Sequence, residues 1–186
     1  MRIIAGTAKG RRFDAPQGRD TRPTLDRVKE AIFGSIQFRV PGAVVLDLFS
    51  GSGNMGLEAL SRGAKQAICV DVSPSCGALI AANGKKLGLA EGLTVLCQDY
   101  ERAIEQLASQ GIRADIAFLD PPYASGFGEK AAMTLFQKGL VAPDGIVVLE
   151  HAFAQPPVFG EGPWQVSAPR KYGVCGVTTL IWREDR

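Results

Sequence analysis

Asp120-Pro121-Pro122-Tyr123 is where acceptors, rigidity and an aromatic ring come together in this chain. The four residues follow an apolar run at 114–119. Each proline fixes its own φ and pushes the residue before it away from helix. The Asp120 carboxylate and the Pro121 carbonyl are thereby held as rigid acceptors, and Tyr123 adds a flat face. Such a set suits a planar aromatic amine, whose two hydrogens meet the acceptors while its ring lies on the tyrosine. Acceptors on both hydrogens favour a pyramidal nitrogen and expose its lone pair for alkylation. The plainer use of the same residues is a stiffened turn capped by the aspartate.

A second stretch, Asp47-Leu48-Phe49-Ser50-Gly51-Ser52-Gly53-Asn54-Met55-Gly56, carries G-x-G-x-x-G at 51, 53 and 56. Glycines let the backbone turn sharply and approach a ligand, whose polar groups meet the free N–H groups of a helix start. Asp71 lies twenty residues past Gly51 at the end of the next apolar run, where a carboxylate accepts from a ribose diol. The loop alone admits a dinucleotide or S-adenosylmethionine. Asp47 favours the second, because a charge inside the strand end repels a pyrophosphate and suits a ligand bearing an ammonium and a sulfonium. Asp99, just before Tyr100, is positioned to reach an adenine amino group. The structural alternatives are a loop organiser for Asp47 and a helix cap for Asp71.

Other chemistries have little to work with. The chain has one histidine, His151, and four cysteines at 69, 76, 97 and 175, none spaced as C-x-x-C. A zinc site or a histidine-dependent triad is therefore not expected, and the cysteines read as small buried apolar residues kept reduced. His151, after Glu150 at a strand end, reads as hydrogen-bonded and structural, with an active-site role as the alternative. Composition is ordinary at 46% hydrophobic and 22% charged, which excludes collagen-like, disordered and disulfide-scaffold classes. No apolar run approaches the ~20 residues of a membrane span, and the first residues hold no signal-peptide core, so a cytoplasmic, non-membrane protein is expected. Net charge is +2, yet residues 1–40 hold nine basic and four acidic side chains. That bias points to a polyanion met by one end of the molecule.

The elements that must position these residues follow from periodicity. Residues 1–23 read as a basic hairpin or extended arm rather than as core. Positions 25, 28, 32, 33 and 36 are apolar and mark one face of a helix from 24 to 38, ended by Pro41-Gly42. Strands are then predicted at 43–49, 67–72, 93–97, 114–119 and 145–150, with helices at 54–62, 74–87, 101–109 and 129–138. Two further β-like runs, at 164–167 and 174–182, suggest an antiparallel hairpin at one edge. Repeated strand–helix alternation predicts an α/β fold with a doubly wound, mostly parallel, seven-stranded sheet. The expected division is a basic extension over 1–40 and a main domain over 41–186.

These motifs bring the chain close to a known family. Arg2-Ile3-Ile4-Ala5-Gly6, Lys9-Gly10-Arg11, Thr21-Arg22-Pro23-Thr24-Leu25-Asp26-Arg27-Val28, the Asp47–Gly56 loop and Asp120-Pro121-Pro122-Tyr123 resemble the bacterial small-subunit ribosomal RNA guanine-N2 methyltransferases of the RsmD type, within the class I S-adenosylmethionine-dependent methyltransferases. D-P-P-Y is shared across amino-directed methyltransferases; the arm with T-R-P-T-x-D-R-V is the more specific match. The resemblance implies methyl transfer from S-adenosylmethionine to N2 of a guanine in 16S rRNA, leaving S-adenosylhomocysteine. It implies Asp120, Pro121 and Tyr123 as catalytic residues and no metal. Cofactor contacts are expected from Asp47, Ser50, Gly51, Gly53, Asp71, Val72, Asp99 and Tyr100. RNA contacts are expected from Lys9, Arg11, Arg12, Arg22 and Lys171, with Arg22 equally able to meet the cofactor carboxylate. The partner implied is the assembled or assembling small subunit, met by a monomer. Ser50, Asn54 and Met55 depart from the family's usual small or apolar residues, and Val174-Cys175-Gly176 is less typical of it. Other readings are a DNA adenine-N6 or cytosine-N4 methyltransferase, a nicotinamide-dependent dehydrogenase and a non-catalytic ribosome-assembly factor.

Overall fold

The computed structural model of the chain describes residues 1–16, 23–122 and 126–183, with backbone alone at 23–25. Tyr123, Arg19 and Arg22 lie outside the described residues. In chain order the elements are α1 (Pro23–Ser35), β1 (Val44–Leu48), α2 (Asn54–Ser61), β2 (Gln66–Asp71), α3 (Pro74–Leu87), β3 (Leu93–Cys97), α4 (Tyr100–Ser109), β4 (Ala114–Leu119), α5 (Phe127–Gln137), β5 (Val141–Ala152), β6 (Trp164–Val166), β7 (Arg170–Tyr172) and β8 (Cys175–Trp182). Strand order is β3-β2-β1-β4-β5-β8-β6, parallel through β5, with β8 antiparallel to β5. The doubly wound sheet and its antiparallel edge are those the sequence predicts.

Seven strands was one too few. The outer edge of β8 carries two short strands: β6 pairs with Trp182–Leu180 and β7 with Val177–Cys175. Pro169, in the break between them, has no N–H to give a ladder. β5 also begins four residues earlier than predicted, at Val141, which pairs with Ala114 before a register shift. The shift spans Pro143-Asp144-Gly145, and Asp144 has a φ of 58°, so turn-like residues sit inside a strand.

Period-two alternation splits β1 between two cores. Leu46 and Leu48 face α4 and α5 with Ile104, Leu107, Leu135 and Phe136. Val45 faces the other way, with Val28, Ile32, Phe33 and Ile36 of α1 and Met55 and Ala59 of α2. α1 thus belongs to the same packed layer as the main sheet, and no break in packing falls at residue 40. α3 contains two glycines yet runs unbroken to Leu87. A Cβ at Gly84 would lie 2.5 Å from Leu93 Cδ2, so a larger residue there would push the Leu93 side chain aside where α3 packs on β3.

The N-terminal arm is more than an arm. Ile3 and Gly10 pair as a hairpin with Arg2 opposite Arg12, and Ile3, Ala8 and Phe13 are buried with Leu57 and Leu87. Its expectation as non-core is therefore corrected. The hairpin is fastened by a buried carboxylate: Ile4 N–H and Ala5 N–H donate to Glu58, which also pairs with Lys29 at 3.2 Å and Arg62 at 2.7 Å. Lys29 Nζ in turn donates to Arg2 O and to Asn54 Oδ1. Burial pushes the Lys29 pKa down, opposed by Glu58.

Candidate active site

The order β3-β2-β1-β4-β5 reverses between β1 and β4, the place where open α/β sheets bind ligands. Leu48 pairs with both Val70 and Leu119, which brings the ends of β1, β2 and β4 to one level. The glycine bend, Asp71 and the Asp120-Pro121-Pro122 corner therefore share one rim.

The bend is held from within. Asp47 is 3% exposed and alternates onto the α2 side of the sheet, where Gly56 N–H donates to its carboxylate at 3.0 Å. Burial first, then Asp120 and Asp71, raise its pKa to about 7 against that backbone hydrogen bond. Ser50 Oγ donates to Asp47 O and accepts from Val70 N–H, stitching the loop to β2. Gly51 and Gly53 take positive φ, and so does Phe49 at 69°. A left-handed phenylalanine is strained, and strain of this kind collects at ligand sites. Asp71 accepts from Gly51 N–H and Ser73 N–H, one on each oxygen. Asp99 caps α4 by accepting from Glu101 N–H.

Beside the bend is a cavity of about 250 Å³ lined by Asp71, Val72, Asp99, Tyr100 and Asp120, with Phe49, Val70, Gln98, Pro122 and Phe127. Four of the expected cofactor residues meet here. Asp47, Ser50, Gly51 and Gly53 belong to the bend beside the cavity, held by the hydrogen bonds described above. Phe49, Gln98 and Phe127 are additions to the expected set. The Phe49 and Phe127 rings flank Tyr100 at centroid distances of 5.2 and 5.7 Å, and Val72 is 70% exposed. Together they make an apolar slot for a flat ring. Among the described residues, every charged side chain lining this cavity is a carboxylate.

A second cavity of about 260 Å³ opens on the other side of the corner, lined by Pro121, Pro122, Leu149, Glu150 and residues of the α5 start. Pro122 is a wall of both cavities. Glu150 is half-buried in this second wall, and its pKa is raised to about 8, by burial foremost and by Asp120 next. His151 also lines this second cavity; it is buried, with Nε2 at 2.9 Å from Thr178 Oγ1 and Nδ1 at 2.9 Å from Ala152 O. Lys9 and Arg12 are exposed on the hairpin, whereas Arg11 donates to Leu87 O and Lys86 O at the end of α3. Lys171 lies over the Phe153 ring at 4.9 Å. No group of three or more metal-ligating side chains occurs among the described residues, and no helix among them is long and apolar enough to cross a membrane.

The sheet order, the antiparallel closing strand and the two-sided corner define a class I methyltransferase fold. Solved structures agree: a putative methyltransferase from Escherichia coli superposes with a TM-score of 0.85 at 26% identity, covering 100% of this chain and 99% of that one. A putative methylase from Haemophilus influenzae superposes at 0.82 with 26% identity, covering 98% of each chain. The family described as "Conserved hypothetical protein 95" matches residues 1–181. A putative rRNA methyltransferase of Bacillus subtilis is 38% identical over 95% of this chain and 96% of its own length. Ribosomal RNA small subunit methyltransferase D of Escherichia coli is 33% identical over 81% of this chain and 74% of its own length. The chain belongs to this family, the RsmD type.

Proposed function

We propose that this chain transfers the methyl group of S-adenosylmethionine to the exocyclic N2 of a guanine in small-subunit ribosomal RNA. The observation that carries the reading is the pair of cavities meeting at Pro122, one for the donor and one for the target base. The all-carboxylate lining and the aromatic slot fit a ligand that is cationic and carries an adenine, and would repel a pyrophosphate. When bound, S-adenosylmethionine supplies an electrophilic methyl on a positively charged sulfur.

Each residue then has a task. Phe49, Tyr100 and Phe127 enclose the adenine; Asp71 accepts from ribose hydroxyls, and Asp99 serves the adenine amino group. The Asp120 carboxylate and Pro121 carbonyl take the hydrogens of the target amine, and Tyr123 stacks on its ring. The target is flipped out of its stack, which costs a few kcal/mol and least where the base is unpaired. Positioning supplies the main rate gain, up to roughly 7–11 kcal/mol in favourable systems. The proton leaves once the nitrogen is cationic and acidic, so no strong base is needed. The basic segment 1–40 meets the RNA, with Lys9 and Arg12 exposed on it and Lys171 on the opposite edge. Arg11 contributes there by holding the hairpin to α3.

The relatives named as rRNA methyltransferases support the substrate class. The test is incubation with methyl-labelled S-adenosylmethionine and small subunits from a strain lacking the gene, followed by nucleoside analysis. Label in N2-methylguanosine is the expected result. Label in another nucleoside, or none, refutes it.

A further inference from the structure

We propose that Glu150 is the residue that selects guanine: its carboxylate accepts from N1–H of the target base while the N2 hydrogens go to Asp120 and Pro121. The proposal rests on the methyl-transfer reading above and adds a specificity determinant to it. Glu150 lines the second cavity together with Pro121 and Pro122, so it faces whatever occupies the space beside the corner. Its one protein donor among the described residues is the Cys175 thiol, 3.5 Å from Oε2, and a thiol is a weak donor. A half-buried carboxylate without a strong donor is costly, and a ligand that brings an N–H relieves that cost.

The neighbours leave the role to Glu150. Both ring nitrogens of His151 are engaged by Thr178 and Ala152. Glu129, near the start of α5, is the other carboxylate lining the cavity. Asp120, just past the end of β4, and Asp47 on β1 raise the pKa of Glu150, so a donor that stabilises its charged form has a large effect there. Base chemistry then discriminates. Guanine places N1–H beside its amine, whereas adenine and cytosine place an unprotonated ring nitrogen beside theirs, which Glu150 repels once it is ionised, above its pKa of about 8.

The test compares the wild type and Glu150→Leu at pH 9, where Glu150 is ionised, on small subunits and on subunits rebuilt with 2-aminopurine at the methylated guanine. 2-Aminopurine keeps the amine and lacks N1–H. The wild type is expected to disfavour 2-aminopurine by about 10- to 100-fold in kcat/KM, the scale of one lost base contact. Glu150→Leu, which removes the acceptor, is expected to lose a similar factor on guanine, narrow the gap between guanine and 2-aminopurine, and hold its affinity for S-adenosylmethionine within twofold. Equal use of both bases by the wild type overturns the proposal even if the variant does not fold. Unchanged guanine kinetics in a folded variant overturn it as well. Wild-type subunits without N2-methylguanosine refute the underlying reading and this proposal together.

Discussion

Asp120 and Asp47 are both carboxylates at strand ends, and their surroundings give them opposite duties. Asp120 lines the cavity, whereas Asp47 is 3% exposed and spends an oxygen on Gly56 N–H. Asp120→Ala should therefore lower methyl transfer at least 100-fold while cofactor affinity by titration calorimetry stays within a few-fold. An equal loss in both would make Asp120 a structural residue. The catalytic corner and the glycine bend were legible because each is a contiguous string whose types dictate a backbone shape. Phe49, Gln98 and Phe127 were not, because they reach one cavity from the bend after β1, the loop after β3 and the first residue of α5, and no local spacing relates them. Asp47 was legible as a charge in an apolar strand; its facing α2 rather than the cavity follows from strand alternation.

Among the elements, the helices and central strands came through because each buries one continuous stripe or face. The hairpin was anticipated as one of two forms of the arm but its burial was not, since Ile3, Ala8 and Phe13 follow neither helical nor strand spacing and pack on Leu57 and Leu87 far along the chain. β6 was legible as the run at 164–167, whereas the three-residue β7 past Pro169 was not. Glu58 is the link between the hairpin and the core: it is fully buried, paired with Lys29 and Arg62, and accepts two hairpin N–H groups. Glu58→Ala leaves Lys29 buried without its partner, so it should cost about 3–5 kcal/mol in urea unfolding. A loss below about 1 kcal/mol would mean that the hairpin is held by its apolar contacts alone.

Across the whole molecule the basic bias of residues 1–40 overstated the free charge, because Lys29 is buried in an ion pair and Arg11 caps α3. The acidic site has its own consequence. Asp47 and Glu150 have pKa values raised to about 7 and about 8, so the folded chain holds their protons more tightly than the unfolded chain does. Their contribution to stability is fully present below the ordinary carboxylate range and is lost as pH rises through 7 and 8. A cationic ligand offsets the charge that appears. S-adenosylmethionine should therefore raise the thermal midpoint more at pH 8 than at pH 6, and a larger effect at pH 6 would contradict this electrostatic account.

The central claim is that donor and target meet across one proline corner. It is tested most directly by a crystal structure with S-adenosylhomocysteine. The account predicts its adenine beside Phe49, Tyr100 and Phe127, its ribose on Asp71, and its sulfur facing Asp120 and Pro122. An S-adenosylhomocysteine molecule seated in the Glu150 cavity, or with its sulfur turned away from the corner, would contradict it.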